Sequence, residues 1–202
     1  MNVLSIDVDW AISSLHQHLL AKLFYSKLHD TKNVYFGNRH NTILSVITKE
    51  HKINLANIDH HHDICYTQQQ NNYIKENLAD EGCWLGLLLY NNRISNLNWI
   101  RNAESDSIPA ESLPENYLDM FKPPISVDYT LDHLYNIEYD MIFVCRSDEY
   151  TGGRYRGFYD TLMTSSKMMY PEKTAEIKLE LDISSTVINY NNADKVYNEH
   201  KL

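Results

Sequence analysis

The segment INLANIDHHHDICY, residues 53–66, runs an apolar stretch straight into five consecutive acidic or imidazole side chains: Asp59, His60, His61, His62 and Asp63. Ile53 to Ile58 reads as a short buried strand, which puts the polar cluster at a strand end. Before it, residues 41–52 (NTILSVITKEHK) read as a helix and residues 33–37 (NVYFG) as a second strand. Residues 11–29 carry Ile12, Leu15, Leu19, Leu20, Leu23 and Phe24 at helical spacing, and residues 2–10 (NVLSIDVDW) read as an apolar strand ending in acids. Strand alternating with helix predicts βαβ units. The expected fold is α/β: three layers, α/β/α, around a mainly parallel, doubly wound sheet covered on both faces.

Farther along, residues 80–92 (DEGCWLGLLLYNN) read as a buried helix and 96–101 (NLNWIR) as a short strand. Residues 139–147 (YDMIFVCRS) give another strand, 157–169 (GFYDTLMTSSKMM) a helix, and 175–190 an edge strand. Residues 102–126 hold four of the five prolines and many acids, and are expected to form a surface excursion from one domain spanning 1–202.

Composition narrows the function. A net charge of −9 argues against a nucleic-acid partner. No window reaches the ~20 apolar residues of a membrane span, so no membrane partner is expected. The first residues lack the basic-then-apolar pattern of an export signal. The three cysteines, Cys65, Cys83 and Cys145, form neither a disulfide framework nor a zinc-type pair. Reduced thiols and a cytoplasmic location are expected. With only 6 glycines, no glycine-rich phosphate loop is present.

Ligands of open parallel sheets gather beyond the carboxyl ends of the strands. There the first strand delivers Asp7 and Asp9, the second delivers His40, and the third delivers Asp59, His61 and Asp63. Residues two apart share a side while the backbone stays extended, so these acids would converge and His60 and His62 would point elsewhere. Two like charges ~4 Å apart repel by roughly 4 kcal/mol at an effective dielectric near 20. A pair of divalent cations relieves this, and the oxygen-rich mixed donors suit manganese, with zinc or iron as alternatives.

The motifs carry a resemblance. DHHHD, at Asp59, His61 and Asp63, is similar to the D-x-H-x-D signature of the arginase/deacetylase superfamily. FGNRH resembles its metal-histidine strand end at His40, and SIDVDW resembles its S-x-D-x-D strand at Asp7 and Asp9. Together they match the six ligands of a binuclear manganese site. Here the S-x-D-x-D strand comes first, an order that resembles an arginase-like branch opening with a D-x-D strand. Residues 140–153 (DMIFVCRSDEYTGG) are also similar to a strand end of that branch. The resemblance covers residues 1–66 and about 137–153. It brings no counterpart of arginase's proton-shuttling histidine or guanidinium-binding glutamate, so it implies the metal site and not the arginine substrate.

The expected activity is hydrolysis of a non-peptide C–N bond, in an amidine or amide, by a hydroxide bridging two metals. His60 or His62 would give the leaving amine its proton. Trp10, Arg146 and Glu149 are placed as substrate contacts, His16 and His18 as structural. The substrate is expected to be a small molecule; self-association is left open. NIDHH also resembles a DHH-type manganese phosphoesterase. A third alternative is a non-enzymatic binding module on a degenerate metal-hydrolase fold.

Overall fold

The computed structural model describes residues 1–47, 49, 52–105, 125–147, 153–177 and 187–192. Seven strands form one sheet: β1 (Asn2–Asp7), β2 (Asn33–Gly37), β3 (Ile53–Ile58), β5 (Ile94–Ile100), β6 (Ile125–Asp128), β7 (Met141–Cys145) and β8 (Thr174–Ile177). Their order is β6-β5-β3-β1-β7-β2-β8, and every pairing is parallel. β4 (Leu78–Ala79) pairs separately, antiparallel, with β9 (Ile188–Asn189).

The fold is three-layered. On one face α1 (Ser14–Leu28) and α4 (Arg156–Met169) bury Leu20, Leu23, Phe24, Tyr159 and Leu162 against Leu4, Ile6, Ile142 and Val144. On the other, α2 (Gln68–Lys75) and α3 (Trp84–Tyr90) pack Ile74, Trp84, Leu85 and Leu88 against Val3, Leu55 and Phe143. Alternate residues of β1 thus face opposite apolar layers, as a doubly covered parallel strand requires. Ser13 caps α1 by accepting the His16 N–H at 3.2 Å. Leu15, expected on the apolar stripe, is exposed; the buried face is instead Leu20, Leu23, Phe24 and Leu28.

Three elements differ from the sequence expectation. No α-helix is found among the described residues of 41–52, which leave out 48, 50 and 51; a 3-10 helix spans His40–Ser45. The Thr42 hydroxyl donates to the Arg39 carbonyl at 2.6 Å and Ser45 to the Thr42 carbonyl at 2.7 Å. These local bonds compete with the α-helical ladder in a β-branched segment. α2 lies in a polar stretch with no clear apolar period; its signal is Thr67 followed by Gln70, whose N–H the Thr67 hydroxyl accepts at 3.2 Å. The one edge strand expected over 175–190 is, among the described residues, β8 on the main sheet and the two-residue β9 paired with β4, with 178–186 outside the described residues. Most of the proline-rich excursion, 106–124, also falls outside them.

Parallel topology brings every strand's carboxyl end to one side. β1 lies between β3 and β7, in register Ile6 to Ile58 and Asp7 to Cys145. β2 is one strand farther, with Gly37 beside Cys145. No helix among the described residues is long and apolar enough to cross a membrane.

Candidate metal centre

The aspartates converge by turning, not by extended alternation. β1 ends at Asp7, and a 3-10 turn, Val8–Trp10, carries Asp9. The Asp7 carboxylate accepts the Asp9 N–H at 3.1 Å, and the Asp59 carboxylate accepts the His61 N–H at 2.9 Å just past β3. Each is an Asx turn, in which a short carboxylate folds the chain back two residues on. The D-x-D and D-x-H spacings therefore describe turns that aim successive side chains at one place.

His40 sits at the middle of the inner group. Its Nδ1 lies 3.1 Å from Asp59, 3.1 Å from Asp63 and 3.4 Å from Asp7. Its Nε2 is 2.7 Å from the buried Ser5 hydroxyl, and the ring lies parallel to Phe143 with centroids 6.0 Å apart. One nitrogen thus faces the carboxylates while the other is fixed, the arrangement a ligating imidazole needs. The outer group is Asp9 and His61, 3.2 Å apart, with Asp59 close to both. Donor atoms of His40, Asp59 and Asp63 lie within 4.8 Å of one another, as do those of Asp9, Asp59 and His61. Asp59 belongs to both sets.

Surrounding side chains hold these donors. Trp84 Nε1 donates to Asp63 at 2.7 Å, Asn57 donates to Asp59 at 3.3 Å, and Ser147 donates to Asp7. Asp63 (φ 49°) and Ser147 (φ 46°) both occupy the left-handed region. Non-glycine residues there cost ~1–3 kcal/mol each and cluster at functional sites. Asp63 is kept so by α3, whose Leu85 and Gly86 N–H groups bond its carbonyl at 3.0 and 3.3 Å. Gly86 allows that approach, since a Cβ there would overlap the Ile64 carbonyl oxygen. Gly86→Ala is expected to cost ~3 kcal/mol. The test is the denaturant midpoint, and an unchanged value would mean that α3 does not brace this loop.

The donor set fits divalent transition cations. The four carboxylates and His40 are buried while His61 is half-buried, and Asp9 Oδ1 is buried with no hydrogen-bond partner among the described residues. The same excess of negative charge makes the groups hold protons tightly. Burial, then Asp7, lifts Asp9 from 3.8 to about 6. Burial opposes charging of His61, but its bond to Asp9 and the nearby aspartates outweigh it and raise the ring from 6.5 to about 10. His40 rises too: burial opposes, and the charge and hydrogen bond of Asp59 prevail. Burial and the charge of Asp63 raise Asp59.

A raised folded pKa stabilises the cation-free fold below the unfolded value and loses that contribution as pH rises through the folded one. For Asp9 that window runs from 3.8 to about 6, and for His61 from 6.5 to about 10. Cations bound here would have to displace these protons, so their affinity would rise with pH. Mn²⁺ affinity is expected to increase ~10-fold per pH unit for each displaced proton between ~pH 6.5 and 9. Calorimetry in buffers of different ionisation enthalpy checks this; a flat profile would mean that His61 is not displaced.

A cavity of about 440 Å³ opens onto the outer group, lined by Asp9, Ile12, His60, His61, Glu104, Arg154 and Tyr155. Of the two histidines expected to give a proton, His60 lines it and His62 does not. His62 is buried, its Nδ1 accepts the Ile64 N–H at 3.0 Å, and its ring stacks on Tyr66 with centroids 4.1 Å apart. Trp10 lines a neighbouring cavity of about 660 Å³ that shares Ile12 and Glu104 with the first. Arg146 lies over the Tyr159 ring at 5.2 Å and does not line the metal-side cavity. Glu149 is outside the described residues. Glu104, Arg154 and Tyr155 escaped the sequence reading because no strand end or motif marks them.

Comparison with protein-family models, with curated proteins and with solved structures finds no match.

Proposed function

We propose that this chain is a metal-dependent hydrolase of a non-peptide C–N bond, an amidine or amide, using two divalent cations with manganese foremost. The observation that carries the reading is the meeting of His40, Asp59 and Asp63 with Asp9, Asp59 and His61 in two donor sets that share Asp59, with Asp7 3.4 Å from His40 Nδ1, beyond the carboxyl ends of a parallel sheet. The motif resemblance to the arginase/deacetylase superfamily supports the same chemistry. His40, Asp59, Asp63 and Asp7 would hold one cation, and Asp9, Asp59 and His61 the other. When bound, such cations supply Lewis acidity and a hydroxide nucleophile near neutral pH.

The remaining residues handle the substrate. A space of about 440 Å³ suits a small molecule. His60 stands at that space and is the group suited to protonating the leaving amine. Burial, partly offset by Arg154, raises the Tyr155 phenol, so it keeps its proton and serves as a hydrogen-bond donor. Arg154 offers a cation to an anionic substituent. Trp10, His16, Tyr129 and Tyr135 wall the adjoining cavity, where an apolar part of the substrate would lie.

The test is a screen of chelator-stripped protein, with and without added Mn²⁺, against acetylated amines, amidines and a generic phosphodiester. The expected result is Mn²⁺-dependent release of amine or ammonia. Turnover of the phosphodiester alone would favour a phosphoesterase. Two bound cations with no turnover of any C–N substrate would favour a binding module.

A further inference from the structure

The inner end of the centre holds a donor of a different kind. Cys145 closes β7, paired with Asp7 of β1 on one side and Gly37 of β2 on the other. Its Sγ, an Asp7 oxygen and a His40 ring nitrogen lie within 4.8 Å of one another, and all three residues are buried. The sulfur is also supported. Ser147, with φ at 46°, turns its N–H back to Sγ at 3.3 Å, and its hydroxyl lies 3.4 Å from the same atom while donating to Asp7. An N–H aimed at sulfur is the kind of outer bond that orients a thiolate ligand.

The outer group has no such donor: Asp9, Asp59 and His61 offer only oxygen and nitrogen. Thiolate ligands favour zinc and other thiophilic ions, whereas carboxylate-rich sites suit manganese. The two ends of the centre therefore differ in softness as well as in exposure, since the His61 side chain is 30% exposed and that of His40 1%.

We propose that Cys145 is a metal ligand, joining His40 and Asp7 to make the inner position selective for a thiophilic divalent cation of the zinc class, while the outer position takes a harder ion. The proposal rests on the reading of this centre as metal-binding. Coordination exchanges the Cys145 S–H bond for a sulfur–metal bond and releases one proton to water. His40 and Asp7 would remain donors to the same inner cation.

The experiment titrates Co²⁺ into the chelator-stripped full chain while recording the near-ultraviolet spectrum and, in parallel, the heat of binding. A sulfur-to-cobalt charge-transfer band should grow with the first equivalent. It should persist in Cys65→Ser and Cys83→Ser and vanish in Cys145→Ser. Preference for Zn²⁺ over Mn²⁺ at the first equivalent should fall by ~10–100-fold in Cys145→Ser. X-ray absorption of the wild-type protein with one Zn²⁺ needs no variant and should show a sulfur neighbour at ~2.3 Å. Binding heat without the band, or zinc with only nitrogen and oxygen neighbours, overturns the thiolate assignment and leaves the metal centre standing. Absence of any binding heat overturns both.

Discussion

Asp59→Asn is expected to strip both cations from the centre at once. Asp59 is the one residue in both the His40 and the His61 donor sets, and it is 1% exposed. An amide keeps the shape and can still accept the His61 N–H bond that forms the turn, so the fold should persist. It cannot supply the negative charge that two cations share. Outer-shell changes alone cost ~10–100-fold in metal affinity, so loss of this shared ligand should exceed ~100-fold. Equilibrium dialysis with Mn²⁺ reads the effect. Asp9→Asn offers the contrast, because Asp9 belongs to the outer set only and one equivalent should remain. Equal loss in the two variants would mean that the sets are not separable and that Asp59 is not the bridge.

Removal of the cations is expected to abolish hydrolysis. One electrostatic stabiliser in an active site is worth ~10²–10³ in rate, and the cations would also supply the nucleophile. The loss on chelation should therefore exceed ~10³-fold, with recovery on adding Mn²⁺. Recovery should be steeper at higher pH, because His61 keeps its proton up to about 10 and must give it up to bind metal. Undiminished turnover after dialysis against chelator would assign the chemistry to the protein's own side chains.

Much of this arrangement is visible in the amino-acid order. β1, β3 and β7 announce themselves through runs such as Val3-Leu4 and Ile142-Phe143-Val144, because a strand covered on both faces needs apolar residues at almost every position. Their shared direction follows from the helices between them, and the strand-end rule then brings Asp7, His40 and Asp59 to one side. Local hydrogen bonding was less legible. Thr42 and Ser45 turn an expected helix into a short 3-10 segment that sets His40 over Phe143. Asp7 and Asp59 bend the chain, and those turns decide that His61 reaches Asp9 while His62 packs on Tyr66. Residues such as Arg154 and Tyr155 depend on where α4 begins relative to β1, a long-range relation that no spacing encodes.

Softness was equally hidden. Cys145 reads as one of three buried thiols until the register of β7 against β1 sets it opposite Asp7. Only the sheet order, with β7 inserted between β1 and β2, brings that sulfur beside His40.

Diffraction from crystals grown with Mn²⁺, recorded at the manganese absorption edge, tests the sharing of Asp59 by two cations. It should reveal two anomalous peaks flanking the Asp59 carboxylate, one beside His40 and Asp63 and the other beside Asp9 and His61. Crystals that diffract well, contain ample Mn²⁺ and show no anomalous density at Asp59 would contradict it.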